Sequence, residues 1–164
     1  MDMRNQELEN NFLKIIEEHK KLIYKVSHLY CINSTDKEDL FQEIIANLWQ
    51  AYPDFKGNSK LSTWIYRIAI NTAVSWIRLS GKNNHISYCE CIPNMIEDSE
   101  TKDVYEKLQA MINQLNSIDK ALILLQLDGY SYNEIAEITG LTKTNVATKV
   151  SRIKTNLKNY KSNS

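Results

Sequence analysis

The last third of the chain carries a helix-turn-helix pattern, which restricts the fold more than any other feature. Ser131 is followed three residues later by Glu134, the spacing of a capping box, so a helix is expected to begin there. Gly140 stands where a left-handed residue would end that helix, and Thr142 can cap the next one. The segment from Ser131 to Leu157 therefore predicts two helices joined by a short glycine turn.

The second helix of this pattern is basic and contains no acidic residue. Its apolar residues recur at helical spacing and predict a buried stripe, formed by Val146, Val150, Ile153 and Leu157. The polar residues on its other faces are candidates for contact with duplex DNA, as in a recognition helix: Lys143, Thr144, Asn145, Thr148, Lys149 and Arg152. An ordinary basic helix on the protein surface would show the same signals. The distribution of charge along the whole chain is therefore needed to decide between a DNA-binding helix and a solvated surface helix.

Charge is strongly segregated along the chain, although 20 basic residues balance 20 acidic ones overall. Residues 1–55 have a net charge of −4, and residues 56–82 have +5 without any acid. Residues 83–106 and 107–140 are acidic, at −5 and −2, and residues 141–164 are +6, again without acid. Phosphate contacts require local positive potential, so the two basic blocks predict two separate DNA-facing surfaces.

Composition favours an all-α fold of one ordinary domain or two small helical ones. The 164 residues include only two prolines and four glycines, fewer than a turn-rich β fold needs. No secretory leader and no apolar stretch of membrane-spanning length is recognisable, so we expect a cytoplasmic protein without membrane insertion. Three cysteines, an odd number, do not suggest a disulfide framework.

Three helices are predicted in the first half of the chain. Apolar residues from Phe12 to Leu29 follow i, i+3, i+4 spacing and indicate the first. A capping box at Thr35–Glu38 predicts the start of the second, which should end before Pro53. Ser62 is expected to cap the third, which runs to about Leu79. The outer face of the second helix is acidic and rich in amides, with Asp39, Gln42, Glu43, Asn47 and Gln50.

The third helix has two contrasting faces. A buried stripe is predicted by the spacing of Ile65, Ile68, Ala69, Ala73, Trp76 and Ile77. The opposite stripe, Trp64, Arg67, Asn71, Ser75 and Arg78, combines a ring for base stacking with cations for phosphate. The sequence leaves two interpretations of Trp64 open, because an aromatic residue at helical spacing can equally belong to the core.

Residues 81–101 break the helical periodicity and are interpreted as a flexible linker. The predicted domains are therefore residues 8–80 and 102–161, the second containing the helix-turn-helix. His85, Cys89 and Cys91 lie in the linker, but a fourth ligand and the usual finger spacing are missing, so no metal site is expected. No phosphate-binding glycine loop or nucleophile–base motif is present, and neither a catalytic site nor a cofactor is expected.

Three motifs in this order carry a family resemblance: Asp39-Leu40-Phe41-Gln42-Glu43 through Trp49, Phe55-Lys56-Gly57 with Thr63 to Asn71, and Tyr132 to Ala136. Together they resemble the bacterial sigma-70 factors of RNA polymerase, and more narrowly the extracytoplasmic-function (ECF) group. That group is built from a region 2-like and a region 4-like helical domain joined by a variable linker. The resemblance spans residues 12–78 and 105–160. The proline common in the family after the position of Leu115 is replaced here by Asn116.

The resemblance implies a role for each candidate surface. Asp39, Gln42, Glu43 and Asn47 correspond to the family's binding site for core RNA polymerase. A second set corresponds to the segment that opens and recognises the minus-ten promoter element: Lys56, Asn58, Ser59, Trp64, Arg67, Asn71, Ser75 and Arg78. The basic C-terminal helix corresponds to the part that binds the minus-thirty-five element. An anti-sigma factor is a further expected partner.

Two other classes of function compete with this interpretation. A transcriptional regulator with an N-terminal ligand-binding or dimerisation unit would explain the helix-turn-helix, but not the basic Trp64–Arg78 stripe. An enzyme would require a chemical motif that the sequence does not show. We also expect the isolated chain to bind promoter DNA poorly and to depend on polymerase.

Overall fold

The structure, a computed structural model, describes residues 2–31, 33–80, 107 and 110–162. The predicted linker at 81–101, including His85, Cys89 and Cys91, lies outside the described residues. The described residues include six fully described α-helices and one short 3-10 helix, with further helical residues at 107 and 110–113, which confirms the all-α class. In chain order the α-helices are α1 Met3–Tyr30, α2 Ser34–Ala51, α3 Leu61–Ser80, α4 Ser117–Leu127, α5 Tyr132–Thr139 and α6 Lys143–Ser162, with the 3-10 helix at Tyr52–Asp54.

Helices α1, α2 and α3 pack against one another in all three pairings. Their shared core contains fully buried aliphatic side chains from each helix, such as Ile23, Leu40, Ile44 and Ile65. These positions follow the predicted apolar stripes, as expected when a 3.6-residue period turns one face of each helix inward. The helix over Phe12–Leu29 is thus confirmed, and it begins nine residues earlier, at Met3.

Two predicted helix starts in the first half are wrong. Helix α2 begins at Ser34, and its N-cap is Asn33, whose side-chain oxygen accepts the Asp36 backbone N–H at 2.7 Å. The Asn33 amide also donates to the Asp36 carboxylate at 2.9 Å, so it bonds twice, whereas a threonine hydroxyl is the weaker cap. Helix α3 begins at Leu61, which places Ser62 inside its first turn and not at its cap.

The helix-turn-helix is confirmed in detail. Ser131 and Glu134 form a reciprocal capping box at the start of α5, with side-chain to backbone distances of 3.2 and 2.8 Å. Gly140 ends α5 with φ of +78°, a left-handed conformation that glycine adopts without steric cost. The Thr142 hydroxyl accepts the Asn145 backbone N–H at 3.1 Å at the start of α6. Local side-chain chemistry therefore determines both ends of the turn.

Asn116, the residue in place of the expected proline, caps α4. Its side-chain oxygen accepts the Asp119 backbone N–H at 2.9 Å. Asparagine is among the best N-cap residues, so the helix start is retained by a different device. Helix α4 buries a continuous apolar run, Ala121 to Leu125, and Gly129, with φ of +84°, follows its end as predicted.

Helix α3 is buried on two sides, and the sequence predicted only one. Besides the expected stripe, Tyr66 and Ile70 are 1% and 2% exposed. They are covered because α3 packs against α5, with further contact to α4. The buried apolar side chains of α1–α3 and α4–α6 consequently form one continuous cluster. No helix within the described residues is both long and apolar enough to cross a bilayer.

Candidate nucleic-acid interface

The polar stripe of α3 lies on the side left open by the two buried faces. Arg67, Asn71 and Arg78 are exposed, and Trp64 and Ser75 are half-buried. Successive spacings of three or four residues place all five side chains along one helical face. No acidic residue lies within α3, so no carboxylate on the same helix neutralises the cations of the stripe.

Trp64 is neither fully buried in the core nor fully exposed for base stacking, the two alternatives that the sequence left open. Its ring lies 4.8 Å from the ring of Phe55 and 6.4 Å from that of Tyr52, measured between centroids. It also packs against the hydrophobic core while remaining half-buried. Its orientation is therefore held by other aromatic rings, which lowers the conformational entropy that a stacking contact would cost.

The loop before α3 places further basic and polar residues at the N-terminal end of that helix. Lys56 and Asn58 are exposed, and Ser59 is half-buried. Gly57 between them has φ of +73°, so the loop turns at a residue that tolerates this conformation. Lys60, the last loop residue, forms a 3.2 Å ion pair with Glu134 of α5.

The outer face of α2 is exposed at Asp39, Gln42 and Glu43. Gln42 lines a groove of about 510 Å³ between α1 and α2, together with Leu13 and Trp49. The side chains of Leu13 and Trp49 are large apolar groups that are nevertheless 57% and 40% exposed. Trp49 ends the first of the three sequence motifs, whereas Leu13 belongs to none of them. The exposed groove adds them as candidates for a binding role, since polar-rimmed apolar surface often marks a docking site.

Asn47 differs from Asp39, Gln42 and Glu43, the other residues that are predicted to bind polymerase. It is half-buried, and its side-chain amide donates to the Thr72 hydroxyl of α3 at 3.0 Å. It lines a pocket of about 280 Å³ between α2 and α3, together with Glu43, Asn71 and Ser75. Residues predicted to bind polymerase and residues predicted to bind DNA therefore meet at this pocket.

The recognition-helix candidates on α6 are accessible. Lys143, Thr144, Asn145, Thr148 and Arg152 are exposed, and Lys149 is half-buried. The first turn of α6 contains no acid, so the positive end of the helix dipole adds to the charge of Lys143. The Thr148 hydroxyl donates to the Thr144 carbonyl at 2.9 Å, which leaves its oxygen as an acceptor.

The opposite side of α6 is anchored in the core by Val146, Val150 and Ile153, all nearly or fully buried. Burial of this stripe orients the polar face outward. Helix α5 packs against both α3 and α6. The two cationic surfaces thus belong to different helices that share α5 as a neighbour.

Comparisons with known proteins agree with this arrangement. Residues 15–82 match the family model for sigma-70 region 2, and residues 105–157 match the model for sigma-70, region 4. Together the two matches cover most of the chain. The ECF RNA polymerase sigma-E factor of Escherichia coli K12 is 31% identical over 122 residues, which are 65% of this chain and 64% of that protein. The sigma-E factor of Haemophilus influenzae is 26% identical over 143 residues, covering 78% and 76%.

Solved structures show the same fold at lower identity. The sigma factor RpoE from Bartonella quintana, in complex with the anti-sigma factor NepR, superposes with a TM-score of 0.67 at 19% identity, covering 94% of this chain and 96% of that one. CnrH in complex with the cytosolic domain of CnrY gives a TM-score of 0.65 at 18% identity, covering 92% and 86%.

Proposed function

Because the chain belongs to the sigma-70 family of RNA polymerase sigma factors, in its ECF group, we propose that it directs promoter-specific transcription initiation. It would bind core RNA polymerase in the cytoplasm and carry it to promoters. The observation that carries the proposal is the presence of two cationic surfaces, on α3 and α6, beside an acidic face on α2. A regulator that only occupies DNA would need one such surface.

We assign the acidic face of α2 and its groove to polymerase. Asp39, Gln42 and Glu43 supply exposed polar groups, and Leu13 and Trp49 supply apolar surface for an anchoring contact. Asn47, through its bond to Thr72, would hold α2 and α3 in register more than it would contact the partner.

We assign the α3 stripe and its loop to the minus-ten element. Melting is favoured when bases that leave the stack are captured by aromatic rings and polar pockets, while cations neutralise the adjacent phosphates. Trp64 is held by Phe55 in a position to stack on a base. Arg67 and Arg78 flank Asn71 along the same face, so phosphate contacts and base contacts can form together.

We assign α6 to the minus-thirty-five element in the major groove. Asn145 can bind adenine and Arg152 can bind guanine through paired hydrogen bonds, whereas Lys143 and Lys149 are suited to phosphate. We further propose an anti-sigma factor as a partner, supported by the solved complexes of RpoE with NepR and of CnrH with CnrY. The protein itself would contribute no catalytic group, since bond formation belongs to polymerase.

The proposal is tested by adding the purified chain to sigma-free core polymerase with fragmented genomic DNA of its source and sequencing the transcript starts. A sigma factor yields starts that share two upstream elements and that are absent with core enzyme alone. The alternative, a helix-turn-helix regulator, yields no specific start unless another sigma factor is present. Absence of specific starts in the reconstituted reaction would contradict the proposal.

A further inference from the structure

A polar contact between α2 and α3 has donor and acceptor roles that its surroundings fix. The Thr72 hydroxyl of α3 donates to the Ile68 carbonyl, one turn earlier in the same helix, at 2.7 Å. A hydroxyl has a single proton, so it can form a second bond only as an acceptor. The side-chain N–H of Asn47 in α2 supplies that second bond at 3.0 Å. Thr72 therefore determines which end of the Asn47 amide faces α3.

This contact is largely shielded from water. Thr72 is 8% exposed, and Asn47 is half-buried. The core that α2 and α3 share is otherwise aliphatic, with Ile44, Leu48 and Ala69 fully buried. Apolar packing is non-directional, whereas a hydrogen bond weakens steeply when its angle is distorted. The Asn47–Thr72 bond thus fixes the rotation of α3 against α2 more sharply than the apolar contacts do.

The same turn of α3 carries two polar residues of the proposed DNA-binding stripe. Asn71 directly precedes Thr72 and is exposed, and Ser75 follows three residues later and is half-buried. Together with Asn47 they line the pocket of about 280 Å³ between α2 and α3. Hydrogen bonds from side chains to base edges require defined distances and angles. A shift of α3 at Thr72 would therefore displace the hydrogen-bonding groups of Asn71 and Ser75 together.

We propose that Asn47 is a positioning residue, which holds the Asn71–Ser75 turn of α3 through Thr72 and thereby sets base discrimination within the minus-ten element. This role rests on the proposed sigma-factor function, whereas the contact between α2 and α3 does not. It differs from the direct contact with polymerase that the family resemblance implies for Asn47. In this arrangement one face of α2 serves polymerase, and Asn47 on the adjoining face serves promoter recognition.

Four single variants of the full chain separate positioning from polymerase contact. Thr72→Val keeps the shape of the side chain and removes the acceptor, and Asn47→Ala removes the donor. Thr72→Ser keeps the hydroxyl and should preserve the bond. Thr155→Val is the matched control, because the exposed Thr155 hydroxyl donates to the Ser151 carbonyl at 3.0 Å, the kind of bond that Thr72 makes within α3.

Base discrimination is measured by initiation with saturating core polymerase on templates that differ by one base pair in the minus-ten element. For Thr72→Val and Asn47→Ala we expect the transcript ratio between preferred and substituted templates to fall roughly tenfold at one position, the size of one good base contact. Thr72→Ser and Thr155→Val should keep the wild-type ratio. The double variant Asn47→Ala/Thr72→Val should be no worse than either single variant, since both changes remove the same bond. Unchanged ratios in the two bond-breaking variants, or an equal loss of transcript on every template, would overturn the proposal.

Affinity for core polymerase distinguishes positioning from a direct contact. It is measured by titrating each labelled chain with core enzyme in the absence of DNA. We expect the same affinity for the wild type and all variants, because the bond between Asn47 and Thr72 lies away from the exposed face of α2. Weaker binding by Asn47→Ala, with Thr72→Val unchanged, would assign Asn47 to polymerase and overturn the positioning role.

Nuclear magnetic resonance of the free chain tests the contact without polymerase. Asn47→Ala should shift the backbone amide signals of Asn71 and Ser75, although these residues belong to another helix. Thr72→Val should shift the side-chain amide signal of Asn47, and Thr72→Ser should leave it near its wild-type position. Absence of both shifts would overturn the proposal. If the shifts occur but no chain initiates specifically, wild type included, the contact between the helices is supported and the sigma-factor function is contradicted.

Discussion

The hydroxyl of Tyr30 donates a 2.5 Å hydrogen bond to the backbone carbonyl of Ser117, 87 residues later in the chain. Tyr30 is the last residue of α1, and Ser117 is the first residue of α4. Burial raises the pKa of the Tyr30 phenol above its ordinary value of 10.0, because the phenolate would lose its hydration. The bond therefore joins the two halves of the chain throughout the physiological pH range.

Replacing this hydroxyl should loosen the association of the halves. Tyr30→Phe keeps the buried ring and removes the donor, so we expect a loss of about 1 kcal/mol in the free energy of unfolding. Urea denaturation followed by circular dichroism measures it. Tyr24→Phe is the control, since Tyr24 is 48% exposed and its change should stay within about 0.5 kcal/mol. Equal losses in both variants would contradict a specific role for the bond.

The turn of the helix-turn-helix should depend on glycine at one position. Gly140 has φ of +78°, and a Cβ there would meet no atom within 4 Å, so the cost of substitution comes from the backbone alone. We expect Gly140→Ala to lose about 1–2 kcal/mol of stability. Gly140→Asn should lose less, because asparagine tolerates the left-handed conformation. Thermal unfolding of both variants distinguishes backbone strain from a steric clash, which would penalise asparagine more.

Acid should weaken the start of α5. The pKa of Glu134 is held below its ordinary value of 4.5, first by the Ser131 backbone N–H and then by Lys60. Since the folded-state pKa is depressed, this stabilisation is complete above pH 4.5 and is lost as pH falls through the folded-state pKa. Glu134→Gln should be less stable than the wild type at neutral pH, and the two denaturation midpoints should converge in acid. A constant difference at every pH would show that the carboxylate charge is not responsible.

Arg67 should act in promoter opening without stabilising the fold. Its side chain is exposed on α3, so Arg67→Ala should leave the unfolding midpoint nearly unchanged. We expect reduced initiation on duplex templates and recovery on a template with a pre-melted minus-ten region, because the duplex is then already open. Lys14→Ala, at an exposed position of α1 outside the proposed DNA surfaces, is the control. An equal defect on both templates would assign Arg67 to a step other than melting.

Two residues of α6 should differ in their effects on upstream binding. Arg152→Ala should cost about 1–3 kcal/mol and relax specificity at one position if Arg152 contacts a guanine. Lys143→Ala should weaken binding similarly on all sequences and lower the salt dependence by about one ion. Holoenzyme binding to a set of mutated upstream elements at several salt concentrations measures both. Identical profiles for the two variants would contradict the division into base and phosphate contacts.

Local chemistry explains why much of the helix-turn-helix could be predicted. The Ser131–Glu134 capping box, the Gly140 conformation and the Thr142 cap all act within three residues along the chain, so their patterns are visible in the sequence. The same logic failed at Thr35, because Asn33 competes for the same helix start and is the stronger cap. Asn116 shows that a departure from the family pattern can still preserve a helix start.

Sequence alone therefore determined the approximate positions of the helices, one apolar face of each and the two basic segments without acid, since periodicity and charge are properties of neighbouring residues. The tertiary structure decided that Trp64 is half-buried against Phe55, that Asn47 bonds to Thr72, and that Tyr66 belongs to a second core face. It also decided that Asp128 meets Tyr66, 62 residues earlier. Such contacts depend on how whole helices pack, and no local pattern specifies which distant side chains packing will bring together.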